Sequence, residues 1–312
     1  MENKKIIFFG PWVGEFGFEM QSWISQCEYM RALYPDYFAV ASSYWGRRAL
    51  YKFCDLYLPH SLKSNYANTG ACMERAGGGE PIILHEVVGR YIKDSDIQAI
   101  PGVTVLDGFN SPMGVEFSCE GLKKVHDLLP HTRLKAEQKS IDMARLMTRG
   151  KKVVSITCRD YDRECTWDET RWIEFVDKLI MKDYFVVSIL SHMPFKYSFL
   201  RTFKRDNFLD LGLFFKDSLD FCENQIAFLN ISECVVMANG GGNVWGWKTG
   251  TPFVQCYAKR WKELSWSNGA YYVSKLFAGL YGCKCELPIG DPTVMEVSAD
   301  ECIAAVERLI TK

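Results

Sequence analysis

No run in this sequence approaches the ~18 consecutive apolar residues of a membrane-spanning helix. No export signal is expected either. Met1-Glu2-Asn3-Lys4-Lys5 passes straight into Ile6, without the apolar stretch of roughly 7–15 residues and the small-residue cleavage site of a signal peptide. A cytoplasmic location is the resulting expectation. Neither sign of charge is in excess: 37 Lys and Arg face 38 Asp and Glu, for a formal net charge of -1. The bulk positive field of a nucleic-acid binder is therefore absent. The glycine spacing after the first apolar run is not G-x-G-x-x-G, which argues against a nicotinamide-dependent oxidoreductase. Twelve cysteines are present, but without export a disulfide framework is not expected. Cys158, Cys234, Cys256 and Cys302 sit in apolar segments, where cysteine behaves as a small hydrophobe. Only Cys283-Lys284-Cys285 is closely spaced, and no second Cys/His pair stands near it to complete a metal site.

What is present describes a globular chain. Hydrophobic residues make up 48% of the 312 positions and charged residues 24%. That length exceeds a usual single core and predicts two domains of about 150 residues each. Aromatics reach 14%, with nine tryptophans. Most of these are expected in cores.

Short apolar runs alternate with helical periodicity. Ile6-Ile7-Phe8-Phe9 reads as a buried parallel strand. From Phe18 to Leu33 the residues Met20, Trp23, Ile24, Cys27, Met30 and Leu33 recur at helical spacing, and Pro35 ends the pattern. Strands are predicted at 37–41, 55–58, 81–84 and 103–106, and helices at 46–53, 122–129 and 133–149. Residues 61–79 read as a loop ending in Gly77-Gly78-Gly79. The second half repeats the alternation. Strands are expected at 152–157, 184–190, 234–238 and 252–257, and helices near 172–180, 222–229 and 299–310. Thr166 with Glu169 has the spacing of a capping box. This pattern predicts an α/β fold of two Rossmann-like domains facing across a cleft, divided as 1–148 and 149–312.

In open parallel sheets ligands sit beyond the carboxyl ends of the strands. Four segments follow strands there. The first is Gly10-Pro11-Trp12-Val13-Gly14-Glu15-Phe16-Gly17, whose three glycines in eight positions allow close backbone approach to a ligand. Glu15 is its candidate general base, with Glu19 one helical turn on. Trp12, Phe16, Gly17 and Glu19 are expected on the acceptor side. An exposed loop carboxylate favoured by the helix dipole is the plainer reading of Glu15. The second segment, Cys158-Arg159-Asp160-Tyr161-Asp162-Arg163, offers Arg159 and Arg163 as bidentate clamps for a diphosphate. Ser191 and His192 form the third, suited to a phosphate or ribose. In the fourth, Asn239-Gly240-Gly241-Gly242-Asn243, backbone amides at a helix start suit a diphosphate.

These segments resemble a GT-B glycosyltransferase. The 10–17 loop resembles the glycine-rich loop after the first strand of that fold. Ile156-Thr157-Cys158-Arg159 resembles the arginine-bearing strand end of fucosyltransferase-like members, with Thr157-Cys158-Arg159 where many have His-x-Arg. The 239–243 turn resembles the donor-diphosphate loop of heptosyltransferase-like members, with Asn239 in place of their Asp. The resemblance implies metal-independent, inverting transfer of a sugar from a nucleotide-sugar donor to an acceptor hydroxyl. No cofactor is implied beyond the nucleotide sugar as co-substrate. Glu15 would deprotonate the acceptor. Arg159, Arg163, Ser191, His192, the 239–243 amides and Gly14 would hold the donor.

Asp94-Ser95-Asp96 is a D-x-D pattern, the metal mark of the other main glycosyltransferase fold, and three-residue acidic patterns arise easily by chance. A sugar-nucleotide epimerase of the same fold and a non-catalytic nucleotide- or glycan-binding module are the competing readings. The acceptor stays open among glycans, lipids, proteins, small molecules and, in some viral enzymes, modified nucleic-acid bases. Lys259-Arg260-Trp261-Lys262 is a basic-aromatic run of the kind that meets phosphate backbones, though more often such a run is a solvated turn.

Overall fold

A computed structural model describes residues 5–12, 16–60, 102–106, 131–158, 167–189, 203–215, 218–237, 244–258, 274–290 and 297–311. The chain divides into two compact units. Met1–His131 with the short return segment Asp217–Cys222 forms the first, and Thr132–Lys216 with Glu223–Lys312 the second.

In the first unit, β1 (Ile6–Phe9) is followed by a helical turn Phe16–Phe18, a π-helical segment Glu19–Trp23 and helix α1 (Ile24–Leu33). Then come β2 (Phe38–Tyr44), a 3-10 turn Arg48–Tyr51, β3 (Leu56–His60) and β4 (Val103–Leu106). All four strands are parallel, in the order β3-β2-β1-β4. Ile7, Phe8 and Phe9 are nearly inaccessible because the strand is covered on both faces. The helical periodicity expected from Phe18 holds at Met20, Trp23, Ile24 and Cys27, all buried, but Leu33 is exposed. The helix expected at 46–53 shrinks to the single turn Arg48–Tyr51. The strand at 81–84, the helix at 122–129, the 61–79 loop and Asp94-Ser95-Asp96 lie outside the described residues.

The second unit runs α2 (Gln138–Met147), β5 (Val153–Thr157), α3 (Glu169–Met181), β6 (Phe185–Ser188), β7 (Phe208–Asp210) and α4 (Leu211–Phe215). It continues through α5 (Phe221–Ile231), β8 (Ser232–Met237), α6 (Val244–Thr249), β9 (Phe253–Gln255), β10 (Tyr257–Ala258), β11 (Cys285–Glu286), β12 (Ile289–Gly290) and α7 (Ala299–Thr311). Six strands form a parallel sheet ordered β11-β9-β8-β5-β6-β7. Counted along the chain this is the 3-2-1-4-5-6 order of a dinucleotide-binding Rossmann sheet. β10 and β12 pair separately.

Alternation along β5 divides its side chains between two layers. Val154 and Ile156 join Trp172, Phe175 and Leu179 of α3 and Ile303, Val306 and Leu309 of α7 in one core. Ser155 turns the other way and meets Ser232 Oγ at 2.8 Å, which in turn donates to the Phe228 carbonyl of α5.

Three local features differ from the sequence expectation. Helix α3 is capped by Asp168, whose carboxylate accepts from the Arg171 amide at 2.8 Å, in place of the Thr166 box. An acceptor on the residue adjoining the first turn satisfies an orphan N–H directly. Helix α2 starts at Gln138 and not at Arg133. The preceding residues are held extended by other bonds: Arg133 Nε donates to the Tyr281 carbonyl at 3.0 Å and the Leu134 amide to the Lys248 carbonyl at 2.6 Å. Strand β7 carries no signal that a three-residue run could make distinct from a loop.

Candidate functional site

Among the described strands, each parallel sheet has one place where its order reverses, and in open α/β sheets it is there that ligands bind. In the first unit the chain places β2 and then β3 on one side of β1, and β4 on the other. The reversal lies between β1 and β4, which pair in register from Ile6↔Val103 to Phe9↔Leu106. The 10–17 loop leaves β1 at that point. In the second unit β6 and β7 lie on one side of β5, and β8, β9 and β11 on the other. The reversal falls between β5 and β8, whose ends meet at Thr157↔Met237. The chain continues from these two ends toward Arg159 and toward Asn239.

The beginning of the first loop is firmly built. Gly10 takes φ +118°, a conformation that disfavours any side chain. A Cβ there would stand 2.5 Å from the Ser42 carbonyl oxygen. Trp12 is 4% exposed. Its amide donates to the Ser42 carbonyl at 2.9 Å, its own carbonyl meets His60 Nε2 at 2.9 Å, and its ring stacks on Trp23 at 5.6 Å. Burial pulls the His60 pKa down to about 4, against the opposing effect of its bond to the Trp12 carbonyl.

The far end of the loop is held by charge. Phe16 is 3% exposed, and its ring lies 5.0 Å from the Arg47 guanidinium. The Tyr44 ring lies 4.7 Å from the same group. Arg47 forms an ion pair with Glu19, and both are buried. Glu19, expected on the acceptor side, is completely inaccessible, and its carboxylate accepts from Ser43 Oγ, from Arg47 and, at 2.5 Å, from Tyr51 OH. A buried carboxylate needs such donors to offset its lost hydration. Burial opposes the charge on Arg47, but Glu19 and neighbouring groups outweigh it and raise its pKa. Burial, with the Glu19 charge, pushes the Tyr51 and Tyr57 phenols up, so both remain donors, Tyr57 to the Tyr44 carbonyl at 2.5 Å.

At the carboxyl edge of the second sheet, Thr157 and Ser188 are buried. Neither hydroxyl has a hydrogen-bond partner among the described residues. Thr157, Met237 and Gln255 share one face through the register Thr157↔Met237↔Gln255, while Ser188 and Asp210 share the other.

Of the residues singled out in the sequence, Trp12, Phe16, Gly17 and Glu19 are described. Gly14, Glu15, Arg159, Arg163, Ser191, His192, Asn239, Gly240, Gly241, Gly242 and Asn243 lie outside the described residues, as does 259–262. Ser43, Arg47 and Tyr51 escaped the sequence reading. Their spacing of four residues along the chain is the one signal that could have grouped them. Among the described residues no cluster of three or more His, Cys, Asp or Glu side chains is arranged to hold a metal. All nine described cysteines are thiols, and Cys283 Sγ donates to the Thr251 carbonyl at 2.9 Å. No described helix is long and apolar enough to cross a membrane.

No protein-family model matches this sequence, and no curated protein matches it. Solved structures do. The ADP-heptose LPS heptosyltransferase II of E. coli is similar with a TM-score of 0.61 at 12% identity over 98% of both chains. A family 9 glycosyltransferase from Veillonella parvula is similar with a TM-score of 0.60 at 12% identity, over 99% of this chain and 97% of that one. E. coli heptosyltransferase WaaC with ADP-2-deoxy-2-fluoro heptose gives 0.55 at 11% identity, over 97% and 99%. Two α/β units, each with a parallel sheet, combine with this end-to-end likeness: the chain has the GT-B fold that these glycosyltransferases share.

Proposed function

We propose that this protein transfers a sugar from a nucleotide-sugar donor to an acceptor hydroxyl, with inversion and without a metal. The observation that carries the proposal is topological. The loop bearing Glu15 leaves the β1/β4 reversal of one sheet, and the segments bearing Arg159 and Asn239–Asn243 leave the adjacent ends of β5 and β8 in the other. Those are the crevices where open α/β sheets take ligands.

The division of labour follows from the residue types. Glu15 takes the proton from the acceptor hydroxyl as it attacks the anomeric carbon. Arg159 and Arg163 receive the departing diphosphate through bidentate, charge-assisted hydrogen bonds. The 239–243 amides add donors that need no reorganisation as charge develops on the leaving group. Ser191 and His192 complete the donor side. Trp12, Phe16 and Gly17 belong to the acceptor side. The division at 1–148 and 149–312 is kept as the functional one, acceptor before and donor after.

The test is a panel of nucleotide sugars, headed by adenosine diphosphate sugars because of the ligand bound to WaaC. Release of nucleoside diphosphate and stabilisation against heat are both followed. A donor at ~100 times its dissociation constant should stabilise the fold by about 2.7 kcal/mol. Glu15→Gln should retain that stabilisation and lose turnover. If no donor either stabilises the protein or releases nucleoside diphosphate, the assignment fails. If Glu15→Gln turns over at the parent rate, the base is another group.

A further inference from the structure

Trp12 and Phe16, the described residues on either side of 13–15 in the chain, are both held in place by the first unit. On one side Trp12 is bonded through both its amide and its carbonyl and stacked on Trp23. On the other, Phe16 meets the Arg47 guanidinium at 5.0 Å. Arg47 is itself fixed three ways: by the Phe16 ring, by the Tyr44 ring at 4.7 Å, and by Glu19, whose carboxylate also accepts from Ser43 and Tyr51. Ser43 and Tyr44 end β2, Arg47 precedes the 3-10 turn that Tyr51 ends, Phe16 opens the helical turn Phe16–Phe18, and Glu19 opens the π-helical segment Glu19–Trp23. The π-helical geometry, rare in general and frequent at functional sites, occurs where the buried carboxylate enters the network.

Stability alone does not account for the pair. A buried ion pair returns little more than its desolvation cost, and an apolar replacement of both partners is often neutral or better. A planar guanidinium has a property that an apolar group lacks. It presents flat faces to aromatic rings and a hydrogen-bonding edge to a carboxylate at the same time, so it fixes the orientation of all of them. A lysine ammonium keeps the charge and loses the plane.

We propose that Arg47 is a positioning residue for the 10–17 loop, acting by fixing Phe16, the residue that follows Glu15 in the chain. Its catalytic consequence rests on the reading of Glu15 as the base. Its mechanical consequence does not, since it concerns only the order of the loop. A carboxylate that must meet an acceptor hydroxyl within hydrogen-bond reach loses rate steeply when it is allowed to wander.

The experiment compares the parent with Arg47→Lys, and with the double variant Arg47→Met/Glu19→Gln, which leaves no unpaired buried charge should Arg47→Lys fail to fold. Amide hydrogen exchange is followed by peptide, and turnover is measured by nucleoside diphosphate release. Arg47→Lys is expected to speed exchange across residues 10–17 by about tenfold, with β1 and β2 unchanged. Its kcat should fall about tenfold while donor KM moves less than about twofold, and combining it with Glu15→Gln should add no further loss. Unchanged exchange in 10–17, or a loosening spread evenly over the first unit, overturns the positioning role. So does a loss that multiplies with that of Glu15→Gln. Local loosening in a protein that releases no nucleoside diphosphate from any donor leaves Arg47 as the loop's anchor and removes the glycosyl-transfer reading instead.

Discussion

Among the described glycines of the first unit, Gly10→Ala should be the most damaging. Three costs combine. The φ of +118° is unfavourable for any residue with a Cβ, by about 1–2 kcal/mol. The new Cβ would stand 2.5 Å from the Ser42 carbonyl oxygen, a backbone atom that cannot swing away as a side chain would. Relieving that overlap costs about 1–3 kcal/mol. The same oxygen accepts the Trp12 amide at 2.9 Å, and moving it gives up a hydrogen bond worth about 1 kcal/mol. A total of about 3 kcal/mol or more lowers the folded-to-unfolded ratio by over about a hundredfold, at ~1.4 kcal/mol per decade. Urea denaturation followed by far-ultraviolet circular dichroism measures it, and the melting temperature should fall by about 6–12 °C. Gly102→Ala is the control. Its φ is +82°, yet a Cβ there meets no atom of the described residues within 4 Å, so only the conformational cost applies. A Gly10→Ala variant within about 0.5 kcal/mol of the parent, or no worse than Gly102→Ala, refutes the reasoning.

In the second unit, a Cβ on Gly246 would lie 2.7, 2.8 and 2.9 Å from atoms of the buried Phe253 side chain, so Gly246→Ala should destabilise by about 1–3 kcal/mol and cost less in a Phe253→Ala background, which removes the two nearest of those atoms. Calorimetry of the single and double variants decides it, and an equal cost in both backgrounds would remove the close-packing argument. Asp168→Ala should cost about 1 kcal/mol in a urea titration, through loss of the Arg171 amide's acceptor, while Asp168→Asn should cost less. Acid should weaken the first unit through His60. Below pH 6.5 the unfolded chain binds a proton that the folded chain refuses until about pH 4, so stability falls as pH drops through that window. The 2.5-unit difference corresponds to at most about 3 kcal/mol. His60→Gln should flatten this part of the stability-against-pH curve, and an unaltered slope would remove His60 as the cause.

Local sequence carried much of the fold. Ile6–Phe9, Val153–Thr157 and Phe185–Ser188 are apolar runs because a parallel strand is covered on both faces, and that demand is visible residue by residue. Helix α7 was legible from its apolar stripe, and Ala299, Cys302, Ile303, Ala305, Val306 and Leu309 are the buried ones. The capping of α3 was misplaced because Asp168 and Thr166 offer similar acceptors, and backbone geometry chooses between them. Arg47, Ser43 and Tyr51 were not legible. They converge on Glu19 across 24, 28 and 32 residues of chain, and no window used to read periodicity spans that distance.

By itself, then, the sequence determined the alternation of strand and helix, the α/β class and the segments that follow strands, because each depends on neighbours one or two turns away. Only the tertiary structure decided the strand order, and with it the adjacency of the strand ends leading to Arg159 and to Asn239. It also decided that Glu19 is an interior charge and not a surface one. Both are choices among partners of similar apolar character far apart in the chain, and closing those loops pays only when the whole sheet and its covering helices form together.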